Sequence, residues 1–75
     1  MKDNITCTIT HSIGAISEKA NGYSKELNLV SWNDAQPKYD LRTWHSDHEK
    51  SGKGLTMSKE ELIALYKLIK AELEG

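Results

Sequence analysis

Between positions 5 and 17 the chain reads Ile-Thr-Cys-Thr-Ile-Thr-His-Ser-Ile-Gly-Ala-Ile-Ser, with Ile5, Cys7, Ile9 and Ile13 at odd positions and Thr6, Thr8, Thr10 and Ser12 between them. A period of two in β-branched residues fits a strand with one buried and one wet face, and it does not fit a helix. Gly14 interrupts the alternation and Ile16 falls on the opposite parity, which predicts a bulge or bend there. A strand this long needs a sheet to join, so the rest of the chain must supply its neighbours.

It supplies three. Asn21-Gly22 tolerates the positive φ of a type I′ turn and predicts a hairpin into a second strand at about residues 25 to 33. Asn33-Asp34-Ala35-Gln36-Pro37 predicts the next turn, and a third strand runs from Lys38 to His45. The polar segment from Ser46 to Gly52 reads as an exposed loop before a short fourth strand, Lys53 to Met57. Ser58 with Glu61 has the spacing of a capping box, and Leu62, Leu65, Tyr66, Ile69 and Leu73 then follow at helical spacing. The expected fold is α+β: a four-stranded antiparallel sheet followed by one C-terminal helix, in a single domain over residues 1–75.

At 75 residues such a domain buries only about 60% of the surface of its unfolded chain. One cysteine allows no internal disulfide and too few thiols for a zinc-thiolate site, so a second subunit is the expected source of stability. The helix agrees, because Ile63, Ala64, Leu68 and Ala71 widen its apolar surface beyond what one sheet covers. A two-fold homodimer through the helices is expected, with Leu65, Leu68 and Ile69 at the interface. The chain start lacks the apolar core of a signal peptide and no apolar run reaches the roughly 18 residues of a membrane span, which predicts a cytoplasmic protein without membrane contact.

Strand parity then sorts side chains by face. Leu27, Leu29, Tyr39 and Leu41 share the face expected against the helix, while Val30, Trp32, Lys38, Asp40, Arg42 and Trp44 share the other. Two tryptophans among cations suit single-stranded nucleic acid, whose bases stack on aromatic faces while Lys and Arg reach phosphates. A cross-strand Trp32–Trp44 pair that only stabilises the sheet fits the same pattern. Net charge is −1, so any attraction for a polyanion must come from local placement, to which Lys50 and Lys53 add beside Gly52 and Gly54. A basic helix for the major groove of duplex DNA is missing.

Three blocks resemble a known family: Lys25-Glu26-Leu27-Asn28-Leu29-Val30-Ser31-Trp32, Lys38-Tyr39-Asp40-Leu41-Arg42-Thr43-Trp44, and Lys53-Gly54-Leu55-Thr56-Met57-Ser58 leading into Lys59-Glu60-Glu61. In order and spacing they are similar to the C-terminal domain of the transcriptional coactivator positive cofactor 4, and more closely to its small bacterial YdbC-type relatives. The resemblance implies a curved four-stranded sheet, helix-mediated dimers and sheet grooves for single strands. It implies a non-catalytic, largely sequence-independent single-stranded DNA binding protein serving transcription or DNA replication and repair, with RNA as a further possible ligand. By position it assigns ligand contacts to Trp32, Arg42 and Lys53, beside the wider set Lys25, Lys38, Trp44 and Lys50. The sequence departs from the family where Trp44 is followed by His45 rather than a second aromatic, and where Asn33 replaces a lysine.

Other chemistries are poorly served. Cys7 with His11, and His45 with His48, lack the tight spacing of metal ligands, so neither a metal nor another cofactor is expected. Catalysis needs a concave pocket with convergent polar groups, which a chain this small struggles to build, and no small-molecule substrate is expected. The alternative to nucleic acid is a protein-interaction module using Trp32 and Trp44 as anchors.

Overall fold

A computed structural model describes residues 6–18 and 21–75. Ile5, the expected first residue of the opening strand, lies outside the described residues. Four strands, β1 (Cys7–Glu18), β2 (Tyr23–Trp32), β3 (Lys38–His45) and β4 (Ser51–Met57), form one antiparallel sheet in the order β1-β2-β3-β4, and α1 (Lys59–Glu74) follows. The β-β-β-β-α expectation holds. The fourth strand begins two residues earlier than the sequence suggested, because Trp44 pairs with Ser51. Among the described residues no helix is long and apolar enough to cross a membrane.

The irregularity expected at Gly14 is one of three along β1, where the register with β2 shifts between Ile9 and His11, between Ser12 and Gly14, and between Ala15 and Ser17. Each extra residue bends the strand and increases its twist. By contrast β2 and β3 pair without a shift from Tyr23↔His45 to Val30↔Lys38. The sheet thus has a regular centre and a strongly bent edge.

The turns correct one expectation. At Asn21-Gly22 only Gly22 takes positive φ (87°), and the flanking pair is Glu18↔Ser24, so this hairpin is wider than a two-residue type I′ turn. The two consecutive positive φ values occur instead at Asn33 (53°) and Asp34 (62°), where Ala35 N donates to Trp32 O at 3.0 Å. Asn and Asp are the side chains that tolerate this conformation. Asn33 also exchanges hydrogen bonds with Thr6: its N donates to Thr6 O (2.7 Å), and its Oδ1 accepts from Thr6 N (2.9 Å). Asn33 therefore ties the residue that precedes β1 to the end of β2.

At the helix start Ser58 Oγ accepts from Glu61 N (3.1 Å) while Glu61 Oε1 accepts from Ser58 N (2.8 Å), completing the capping box. Leu62, Leu65 and Ile69 face Leu27, Leu41 and Met57 across an apolar groove between α1 and the sheet. None of the helical residues is buried, and Leu68 remains 69% exposed.

The tightest packing lies on the opposite face. Val30, Asn28, Asp40 and Trp44 are almost fully buried, although α1 is not on that side. No second layer covers them among the described residues, so the cover comes from the bent sheet itself and from the loop between β3 and β4.

Candidate nucleic-acid interface

The face away from the helix is built on β2 and β3, the two strands held in unbroken register. Asp40 is fully buried, and its Oδ1 accepts from Arg42 Nε at 2.7 Å. That bond, two residues apart on one strand face, holds the guanidinium along the sheet. Its central carbon lies 4.8 Å from the centre of the Trp32 ring, within cation–π range. The strand reading put these three residues on one face, and the structure brings them together as one unit. With Nε used by Asp40, the two terminal amino groups of Arg42 remain for another acceptor, and the fork geometry suits a phosphate.

Close approach by β4 makes this possible. Gly54 lies opposite Arg42, and a Cβ there would collide with Arg42 Cβ and with the Leu41 carbonyl oxygen, and would come within 2.9 Å of Arg42 Cα. The Lys-Gly segment in the third resemblance block thus has a steric basis: the glycine lets the strand carrying Lys53 lie against Arg42.

The expected lysines divide. Lys38 is exposed on β3 at the same parity as Asp40 and Arg42. Lys53 is exposed in the β4 irregularity opposite the Arg42–Trp44 step, and Lys50 lies in the preceding loop, where its carbonyl accepts from His45 N at 2.9 Å. Lys25 is not brought to this face: it shares the parity of Leu27 and Leu29 and pairs with Thr43 and Ser17.

Trp44 requires a correction of a different kind. It is on the expected face but is only 1% exposed, so its ring is packed and does not offer an open platform. Parity fixes the face of a side chain but not what lies over it. The cover includes His48, whose ring centre is 5.8 Å from that of Trp44 at an interplanar angle of 40°. His48 is held by Glu26, since an ionised carboxylate only accepts and His48 Nε2 donates to both of its oxygens (3.0 and 3.2 Å). Glu26 also accepts from Ser24 Oγ (2.6 Å) and Asn28 Nδ2 (3.2 Å). Burial alone would raise its pKa, but the hydrogen bonds from Ser24, Asn28 and His48, with the charge of His48, together lower it below the ordinary glutamate value.

This Ser24–Glu26–Asn28–His48 cluster is absent from the sequence reading. Alternation could have grouped Ser24, Glu26 and Asn28 with Val30 and Trp32, but His48 comes from a loop whose path leaves no periodic signal. Among the described residues, the same face keeps four buried polar side-chain atoms without a hydrogen-bond partner: Asn28 Oδ1, Asp40 Oδ2 and the indole nitrogens of Trp32 and Trp44. Such atoms are rare in protein interiors, and their concentration on one face marks it as different from an ordinary core.

A meander whose single helix lies on one side, leaving a cation–aromatic unit on the other, defines a sheet-platform binding domain. Residues 19–68 match the model of the family described as Transcriptional Coactivator p15 (PC4), and the chain belongs to that family. At the family level this carries a non-enzymatic, transcription-related role in single-stranded DNA binding. The chain is also similar to an uncharacterized protein of Treponema pallidum (strain Nichols), 39% identical over 69 residues that cover 92% of this chain and 81% of the relative.

Proposed function

We propose that this protein is a non-catalytic single-stranded DNA binding protein, largely indifferent to sequence, whose contact surface is the sheet face carrying Trp32, Arg42 and Lys38. The observation that carries the reading is the Asp40–Arg42–Trp32 unit. A buried carboxylate fixes the guanidinium against an aromatic ring, so one nucleotide would meet a stacking surface and a phosphate donor already in position. Preorganisation matters because the chain has almost no net charge to draw a polyanion from a distance. Lys53 and Lys50, at the other side of Arg42, extend the same path for the backbone. Stacking on an indole ring discriminates little among bases, and RNA is a second ligand for the same chemistry.

The functional unit in this reading is a homodimer. A helix with no buried residue and an apolar groove beside it support pairing of α1 with its copy around Leu65, Leu68 and Ile69. Two sheets would then present two binding faces, and a cytoplasmic setting with a role in transcription or in DNA replication and repair completes the proposal.

The test is titration with a fluorescently labelled oligothymidine, following anisotropy and tryptophan emission. Binding that survives competition by an equal length of duplex supports the reading; equal displacement by duplex contradicts the preference for single strands.

A further inference from the structure

Trp44 has lost nearly all solvent contact on the sheet face away from α1, where among the described residues no second sheet packs on it. Its aromatic neighbour, His48, belongs to the loop between β3 and β4 and keeps 43% of its own side chain exposed. We propose that His48 is a built-in occupant of a second base-stacking site: its imidazole rests against Trp44 in the free protein, and a nucleobase of the bound strand displaces it. The inference rests on the single-strand reading given above and adds to it an internal competitor.

Three observations carry it. An imidazole is a flat heteroaromatic ring, the same chemical class as a pyrimidine, and its tilted placement at 5.8 Å leaves the contact short of full parallel stacking. Its side chain is held by the hydrogen bonds to Glu26, while the loop backbone is closed independently, by His45 N to Lys50 O (2.9 Å), His48 N to His45 O (2.8 Å) and Glu49 N to Asp47 Oδ1 (2.8 Å). His48 takes φ 59°, a left-handed conformation in which, among residues other than glycine, Asn, Asp and His are enriched. Finally, a hollow lined in part by Ser24, Glu26, Ser46 and His48 opens beside the contact. Lys50, two positions on, would bring an ammonium group to the phosphate of the same nucleotide.

The consequence is a binding surface competent in only part of the population, which weakens the apparent affinity by the fraction that is open. Glycine and asparagine both suit a left-handed position, so His48→Gly and His48→Asn remove the ring while keeping the turn. Each is expected to tighten binding of oligothymidine by about threefold to tenfold, the factor by which a closed majority lowers affinity. Neither should change affinity for an abasic strand, which has no base to stack. In a Trp32→Phe background, where Trp44 is the sole tryptophan, both should increase quenching of its emission by acrylamide.

Unchanged quenching would show that something other than His48 covers Trp44, and the inference would be wrong. Equal tightening for the abasic strand would also overturn it. Wild-type binding with no gain in either variant removes the displaced-histidine inference alone, whereas a wild-type chain that binds no oligothymidine removes the function proposal as well.

Discussion

Asp40 and Arg42 stand two residues apart on one strand and meet at 2.7 Å, with the carboxylate fully buried and the Arg42 side chain 16% exposed. The pair makes Arg42 both a candidate ligand contact and the partner of a buried charge, and these roles separate under mutation. Arg42→Ala strands the carboxylate and should cost about 3 kcal/mol of stability, the order seen when one partner of a buried ion pair is removed. Arg42→Lys retains a charge but loses the planar fork and the guanidinium placed 4.8 Å from the Trp32 ring centre. Its expected result is a folded protein with about tenfold weaker oligothymidine affinity, checked by urea melts alongside anisotropy.

The two tryptophans should behave differently. Trp44→Ala empties a packed site and should destabilise the fold by about 3 to 5 kcal/mol. Trp32 is only half-buried, so Trp32→Ala should leave a folded chain whose affinity falls by about 1 to 3 kcal/mol, the loss of one stacked base. Thermal melts with binding isotherms for both variants check this; a stable Trp44→Ala protein would contradict the packing described above.

Gly54 is the third sensitive position. Gly54→Ala drives a methyl group into Arg42 and the Leu41 carbonyl oxygen, and overpacking of this kind costs about 1 to 3 kcal/mol. Because the displaced residue is Arg42, affinity should fall together with the unfolding midpoint in urea. Gly14→Ala, with nothing within 4 Å of the added carbon, is the control that should change neither.

Acid stability should report on Glu26. Its folded pKa is depressed, so the stabilisation is complete above the pKa of the unfolded chain and is lost as pH falls through the lower folded value. Glu26→Gln removes that dependence. Melting temperatures recorded from pH 7 to pH 3 should fall less steeply for the variant on the acid side; parallel curves would contradict the hydrogen-bonded carboxylate.

The proposed pairing of α1 with its copy predicts a concentration-dependent melting temperature for the wild type. Leu68→Glu, at a position 69% exposed in the single subunit, should yield monomer or unfolded chain in sedimentation experiments. A stable dimer after that change would contradict pairing through α1.

What could be read from the residues, and what could not, divides by range. The Ser58–Glu61 capping box is a local pattern and appears where the sequence put it; β1 also forms, but its expected buried face does not, since three register shifts break the alternation and Cys7 and Ile13 are exposed. The wide turn at Gly22 and the tight one at Asn33-Asp34 were exchanged because both dipeptides tolerate positive φ, and the choice depends on strand register that only the folded sheet sets. Trp32, Lys38 and Arg42 were legible as neighbours because alternation is a rule of strand geometry. The burial of Trp44 was not, since parity does not say what lies over a side chain, and its neighbour His48 is tied to Glu26 across 22 residues through a loop. Lys25 was counted among the candidate contacts, although alternation alone places it on the helix side.

The most direct test of the central claim is the affinity of the wild-type protein for oligothymidine as a function of salt. If Arg42 and the neighbouring lysines hold phosphates while Trp32 stacks a base, log affinity should fall linearly with log salt, at a slope of about −0.7 for each phosphate contacted, with quenched tryptophan emission throughout. No anisotropy change at low salt, or binding indifferent to salt, would contradict it.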